Sequence, residues 1–265
     1  MKFYGQRLRG TDMNNRYFEV NKDGYNIRAK IYYGDLKNVK QVVLFGHGFG
    51  GHMDNKAAEK FAERVISKYK GKAVVTFNLP CHGNDVRKTL TLEDCDTYIS
   101  LVMEYIQEKY DSPELFVYAT SFGGYLFLKY IIEHGNPFKK IALRSPAISI
   151  YRSMTDRIMN AGDYEKLQKG KEVLVGFDRK IKIGMKFLDS LRENDITKYE
   201  FFDYADDIYI IQGTADEIVS FDVVKKFAED NVIEFLPVEG AEHRFRDPRH
   251  MEEAISTIIK FFEFG

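Results

Sequence analysis

Short apolar runs recur along the chain at 41–45 (QVVLF), 73–79 (AVVTFNL), 114–119 (ELFVYA), 140–145 (KIALRS), 207–213 (DIYIIQG) and 232–238 (VIEFLPV). They lack clean apolar/polar alternation, which is the pattern of strands covered on both faces. Between them the apolar spacing becomes helical, over Asn55 to Tyr69, Leu92 to Lys109, Phe122 to His134, Phe221 to Glu229 and Pro248 to Phe262. Thr91 with Asp94 resembles a capping box, Asp247-Pro248 places a cap before the proline that a first turn tolerates, and Asp54 is a further candidate cap. Ahead of all this, Tyr17 to Val20 and Tyr25 to Tyr33 flank Asp23-Gly24, a dipeptide suited to a hairpin turn.

Strand and helix therefore alternate, which predicts an α/β chain with right-handed crossovers and a mostly parallel sheet. One segment breaks the rhythm. From 147 to 205 no strand of the central type is expected, and helical patterns predominate at Tyr164 to Leu174 and Ile181 to Leu191. The expected organisation is a core made of 1–146 and 206–265, with 147–205 inserted as a mainly helical cap.

Composition narrows the function. The 265 residues, 44% hydrophobic and 14% aromatic, suffice for a substantial core. Lys and Arg total 39 against 40 Asp and Glu, so a net charge of -1 offers no global attraction to nucleic acid or to an anionic membrane. The first twenty residues lack the apolar core of a secretory signal, and no run approaches the roughly 18 apolar residues of a membrane span. Cys81 and Cys95 are the only cysteines. Two free thiols in a reducing compartment are expected, hence a cytoplasmic location. Oligomeric state has no signature here.

The chemistry gathers around Ser121, in A-T-S-F-G, between the ELFVYA run and the helix that starts at Phe122. Two readings compete: an ordinary helix N-cap, or a nucleophile on a strand-to-helix elbow so sharp that the residues two before and two after must be small. Ala119 and Gly123 meet that requirement. A base, an acid and oxyanion donors at the ends of the right strands decide between them. A histidine after the last strand reaches the carboxyl edge of a parallel sheet, and VEGAEHRF supplies His243. Asp216, in GTADEIV just past the preceding strand, can fix the imidazole tautomer. Glu217 is expected to face elsewhere, and Asp206 with Asp207 to lie in a solvated turn. One oxyanion N–H comes from Phe122 and the other from Phe49, in the glycine-rich GHGFGGH loop. That loop lacks both the Gly-Lys-Ser/Thr ending of a phosphate loop and the G-x-G-x-x-G spacing of a dinucleotide site.

With HGFGG after the first parallel strand, ATSFGG at the elbow, GTADEIV and then GAEHRF, the chain resembles the α/β-hydrolase superfamily over nearly its full length. It is most similar to bacterial cinnamoyl and feruloyl esterases and to monoacylglycerol-lipase or serine-aminopeptidase-like hydrolases. NLPCHGND resembles the loop that commonly reads D-x-x-G-H-G there, with Asn78 at the aspartate position. The resemblance implies the α/β-hydrolase fold, a serine hydrolase with a cap over its site, and a small-molecule ester substrate. The alternatives are an acyl thioesterase or monoacylglycerol lipase, or a ligand-binding protein without catalysis. A peptidase lacks an identifiable acidic cluster for a free amine.

No cofactor and no metal are expected. His82, Asn84 and Asp85 are too close in sequence, without a remote partner, to suggest a metal site rather than a structured loop. Nothing arranges a base around Cys81. In the cap, Ile148, Tyr151, Met154, Phe177 and Phe187 are candidate pocket residues, with core packing as the competing role. Basic residues at 166, 169, 171, 179, 180, 182 and 186 face only Glu172 and Asp178 over that stretch, either to draw in an anionic substrate or as a solvated face.

Overall fold

The computed structural model describes residues 6, 7 and 13–264. The expectation about a leader segment thus falls mostly outside the described residues. The chain opens with β1 (Gln6–Arg7), β2 (Asn14–Lys22) and β3 (Tyr25–Tyr33), where β2 and β3 form the predicted hairpin. Its turn is made by Asp23 and Gly24, both at positive φ (50° and 78°), as the right-handed strand twist favours. Then follow β4 (Gln41–Gly46), α1 (Lys56–Lys68), β5 (Lys72–Phe77), α2 (Leu92–Lys109), β6 (Glu114–Thr120), α3 (Phe122–His134) and β7 (Lys140–Arg144).

After β7 come α4 (Ile150–Ser153), a π-turn over Met154–Ile158, α5 (Asp163–Gln168), β8 (Val173–Val175), β9 (Ile181–Ile183) and α6 (Met185–Glu193). The core pattern resumes with β10 (Ile208–Gly213), α7 (Phe221–Asp230), β11 (Glu234–Val238) and α8 (Pro248–Phe261). The main sheet has the order β1-β2-β3-β5-β4-β6-β7-β10-β11, antiparallel through β1, β2, β3 and β5 and parallel thereafter.

The parallel strands β4, β5, β6, β7 and β10 are buried on both faces, which explains the missing alternation, while β11 at the sheet edge is only partly covered. One face packs Val43, Phe45, Val74, Phe116 and Ile211 under α1 and α8. The other packs Val42, Leu44, Val75 and Val117 under α2, α3 and α7. The order of connection reverses beside β4: β5 lies on one side of it and β6 on the other. A crevice opens at the carboxyl ends of strands at such a reversal. The loops after β4 and β6 are therefore neighbours, with Gly46 opposite Ala119.

Two expectations are corrected. The segments Tyr164 to Leu174 and Ile181 to Leu191 are not continuous helices: α5 stops at Gln168, and β8 pairs antiparallel with β9 as a separate hairpin. Val173, Val175, Ile181 and Ile183 are buried and the residues between each pair exposed, a period of two that the longer helical window hid. The cap of α1 is Asn55, whose side chain accepts from the N–H groups of Ala57 and Ala58. Asp54 instead accepts from the Tyr17 hydroxyl at 2.6 Å and pairs with Lys30 at 3.0 Å. The capping role of Thr91 on Asp94 holds.

Candidate active site

Ser121 stands between β6 and α3 with φ 51° and ψ -117°, a left-handed backbone that a residue with a Cβ adopts only under strain. It occupies the N-cap position by sequence, yet its hydroxyl makes no cap hydrogen bond. The backbone there is tied on both sides, its N–H donating to Arg144 O (3.2 Å) and its carbonyl accepting from Ala147 and Tyr125 (both 3.1 Å). A Cβ on Gly123 would lie 2.6 Å from the carbonyl oxygen of Gly46, so only glycine lets α3 pass this close to the end of β4.

The hydroxyl instead meets a histidine. Ser121 Oγ lies 3.0 Å from His243 Nε2, and His243 Nδ1 lies 2.8 Å from Asp216 Oδ2. Asp216 accepts from the N–H groups of Ile218 (2.9 Å) and Val219 (2.8 Å) through Oδ1 and from Gln212 Nε2 (2.8 Å) through Oδ2. Burial alone would raise its carboxyl, but the hydrogen bond and charge of His243 and the two backbone donors prevail and hold it below the usual carboxylate range. An ionised Asp216 requires the proton on Nδ1, which leaves the Nε2 lone pair to accept from the serine hydroxyl.

Two loops carry the acid and the base, and they are joined directly: Ala215 N donates to Ala241 O (3.1 Å), Thr214 N to Val238 O (3.0 Å) and Gly240 N to Thr214 Oγ1 (2.8 Å). The approach is closest at Gly213, where a Cβ would stand 2.1 Å from Ala241 O. Gly213→Ala is expected to cost about 2 kcal/mol or more through this clash. It should lower activity at the same time by parting Asp216 from His243; urea unfolding and turnover on one preparation check both. Glu217 does not face elsewhere, because its Oε2 accepts from the His243 N–H at 3.1 Å and braces the same loop. Asp207 sits at the predicted turn, near Lys140 (3.7 Å).

The glycine-rich loop lies against the nucleophile, a Cβ on Gly48 being 3.2 Å from that of Ser121. His47 shapes it: Nδ1 is 2.9 Å from Gly48 O and Nε2 accepts from Leu79 N at 3.2 Å. Burial, reinforced by His82, pushes this imidazole down to about 3, so it is a neutral spacer. Phe49 follows, its ring edge-on to Phe122 at 5.7 Å. Phe122 opens α3, and first-turn N–H groups have no acceptor within the helix.

Asn78, at the position where the resembling loop has aspartate, accepts from Met53 N (2.8 Å) and donates to Asn84 Oδ1 (2.7 Å), so its amide joins two loops with opposite polarities. Asp85 is occupied by the N–H groups of Cys81 and Arg87 and the Tyr98 hydroxyl, and His82 Nδ1 by Pro80 O. These groups organise the loop rather than converge on an ion.

A family model described as serine aminopeptidase S33, of the α/β hydrolases, matches residues 37–169, from the start of the parallel sheet through the elbow into the inserted segment. The chain belongs to this family. No curated protein matches the hydrolase. Among solved structures it is similar to ferulic acid-bound Est1E from Butyrivibrio proteoclasticus, at 17% identity and a TM-score of 0.73, over 92% of this chain and 98% of that one. Alpha/beta hydrolase domain-containing protein 10 from mouse matches at 14% and 0.69 over 93% and 98%, and the Pyrococcus furiosus esterase Pf2001 at 16% and 0.67 over 94% and 91%. At these identities the likeness establishes the α/β-hydrolase fold. Among the described residues, no helix of the hydrolase is long and apolar enough to cross a membrane.

The candidate pocket residues do not form one wall. Ile148 and Met154 are closed in the core, Phe187 is buried with its ring 6.3 Å from that of Phe122, and Tyr151 is half-buried under Arg192. Phe177 is 49% exposed, at the tip of the β8–β9 hairpin.

Two supporting side chains had no signature in the sequence. One is Gln212. The other is Arg144, 6% exposed, whose Nη1 donates to Arg244 O (3.2 Å) while its guanidinium lies 5.1 Å over the Phe245 ring. Since its backbone carbonyl holds the Ser121 N–H, one residue braces both the elbow and the histidine loop.

Both cysteines of the hydrolase are free. Burial, then Asp85 and Asp94, pushes the Cys81 thiol up to about 11, and Cys95 is raised further by complete burial. Cys81 should therefore react with a disulfide reagent at pH 8 well over tenfold more slowly than an ordinary thiol of pKa about 8.5. Cys95 should react only on unfolding. Timed thiol titration, native and in denaturant, reads both.

Proposed function

We propose that the protein is a serine carboxylic ester hydrolase for small to medium acyl or aryl esters, working through an acyl-enzyme. The observation that carries this reading is the continuous chain from Asp216 through His243 to a strained Ser121 whose hydroxyl caps nothing. His243 Nε2 takes the hydroxyl proton as Ser121 Oγ bonds to the ester carbon, and Asp216 stabilises the imidazolium. The N–H groups of Phe49 and Phe122 receive the negative charge on the carbonyl oxygen. Collapse of that intermediate breaks the bond to the alcohol oxygen, which takes the proton from His243. A water then gives its proton to the same nitrogen and attacks the acyl carbon, releasing the acid and restoring the hydroxyl.

Residues 147–205 are the cap of this reading. Their Phe187 abuts Phe122, and Tyr125 of α3 donates to Asn194 O (2.9 Å) beneath them. Ferulic acid on Est1E gives hydroxycinnamoyl esters a place among first substrates. An aminopeptidase needs a free carboxylate for the amine, and the glutamates bonded into the His243 loop are engaged: Glu217 by His243 N, and Glu242 by the N–H groups of Arg244 and Arg246. The free thiols fit a reducing cytoplasm.

The test is turnover of p-nitrophenyl butyrate together with labelling by a fluorophosphonate, mapped by peptide mass spectrometry. Label on Ser121 with turnover above buffer is the expected result. No label and no turnover on butyrate, thioester, monoglyceride or hydroxycinnamate substrates would leave the fold as a ligand-binding protein.

A further inference from the structure

The β8–β9 hairpin tip lies across the mouth of the site and touches both of its walls. On one side the backbone of Arg179 reaches the glycine-rich loop, where a Cβ on Gly50 would stand 3.0 Å from Arg179 O. On that side too the positive charge of Arg179 adds to burial in lowering His52. On the other side Arg244, the residue after His243, pairs through Nη1 with Asp178 and lies 5.7 Å over the ring of Phe177. The hairpin tip thus brings the Arg244 guanidinium and the backbone of Arg179 to opposite sides of the site. Among the described residues Arg179 has no ion-pair partner. Among those residues the one ion-pair partner of Arg244 is Asp178, whose side chain is 78% exposed.

Two further acids bonded into the histidine loop are engaged by backbone N–H groups. Glu217 accepts from His243 N, and Glu242 from the N–H groups of Arg244 and Arg246. Asp178 is then a carboxylate of the chain itself, seated on an arginine one residue from the base. An ion pair this exposed is held weakly and is readily exchanged for another carboxylate. A planar guanidinium binds a carboxylate through two parallel N–H bonds, and the Phe177 ring below fixes its plane.

We propose that Arg244 and Arg179 form an anion-recognition pair at the mouth of the site, selecting esters that carry a carboxylate beyond the scissile bond, which displaces Asp178 from Arg244. This rests on the ester-hydrolase reading and names its substrate class. Three others of the basic stretch are already engaged: Lys182 pairs with Glu172, Lys166 with Asp163, and Lys180 donates to Gly176 O.

The experiment compares kcat/KM for monoethyl adipate and ethyl hexanoate at neutral pH by titration of released acid, in wild type and in Arg244→Gln, Arg179→Gln, Asp178→Asn and Lys169→Gln. The monoanion should be preferred about tenfold at low ionic strength, mainly through KM, and the preference should shrink toward unity in about 0.5 M salt. Arg244→Gln and Arg179→Gln should each lower the monoanion-to-neutral ratio severalfold. Asp178→Asn should raise it by removing the competing carboxylate, and Lys169→Gln should leave it alone. A wild-type ratio near one, a ratio that falls in Asp178→Asn, or a fall in Lys169→Gln as large as in Arg244→Gln would each overturn the proposal.

A second measurement separates this proposal from its foundation. Calorimetric binding of monoethyl adipate and of ethyl hexanoate to Ser121→Ala needs no turnover. The monoanion should bind more tightly, with the difference lost in Ser121→Ala/Arg244→Gln; equal binding of the two esters overturns the pair. If monoethyl adipate binds through Arg244 while wild type hydrolyses neither ester, the anion site stands and the ester reading falls.

Discussion

Replacing Ser121 by alanine is expected to lower kcat for p-nitrophenyl butyrate by about 10⁴-fold or more, the scale on which a triad acts as a unit. What remains comes from the oxyanion donors and from binding. Folding should be untouched, because the hydroxyl caps no helix and its one side-chain partner is His243. Backbone strain adds a second, independent expectation. A residue with a Cβ at φ 51° and ψ -117° costs on the order of 1–3 kcal/mol, and alanine keeps that cost. Glycine removes it, less its own entropic penalty of about 0.5–1 kcal/mol. Ser121→Gly should therefore be as inactive as Ser121→Ala yet more stable by about 1 kcal/mol. Turnover within tenfold of wild type in the alanine protein would end the nucleophile assignment. Equal urea midpoints for the two variants would show that the elbow stores no strain.

Whether a feature could be read in the sequence depended on how local its cause is. The hairpin was legible because Asp23-Gly24 suits one turn, α2 because its apolar spacing and its Thr91 cap are internal to it, and α3 through its apolar spacing alone. The positions of Ser121, Asp216 and His243 were legible because a parallel sheet places the loops after its strands along one edge. The β8–β9 hairpin was missed because three-residue strands lie inside windows that also fit a helix, and only pairing across the turn decides. The cap of α1 was misplaced by one residue, since Asp54 and Asn55 are both good caps and the choice follows from Tyr17 and Lys30, distant in sequence, which claim Asp54. Gln212, Arg144 and Glu217 act through contacts with groups far along the chain, and a single glutamine or arginine at a strand end carries no pattern. The role of Glu217 became visible only once the loop after β11 folded back onto that after β10.

Asp216→Asn should lower kcat about 10⁴-fold without unfolding the protein. The amide oxygen can keep the turn to Ile218 and Val219, so its NH₂ takes the place of Oδ2, which faced two donors, His243 Nδ1 and Gln212 Nε2. Gln212 can answer by turning its own amide, because its Oε1 is buried without a partner and would accept the new N–H. His243 can answer only by moving its proton to Nε2, and that places an N–H against Ser121 Oγ where a lone pair is needed. The structure therefore absorbs the change while the proton path does not. The stability cost is that of a hydrogen bond to a charged group, about 1.5–3 kcal/mol at neutral pH. Its pH dependence has a definite sign. The Asp216 carboxyl is held below its usual value in the folded protein, so wild type keeps its full advantage above the unfolded value of about 3.9 and loses it as pH falls through the lower folded one. Urea unfolding at pH 7 and pH 3 should show the gap between wild type and Asp216→Asn narrowing at the acid end. A gap that widens there would mean that the carboxyl is protonated in the native state, and an Asp216 in that form would fix no tautomer at His243.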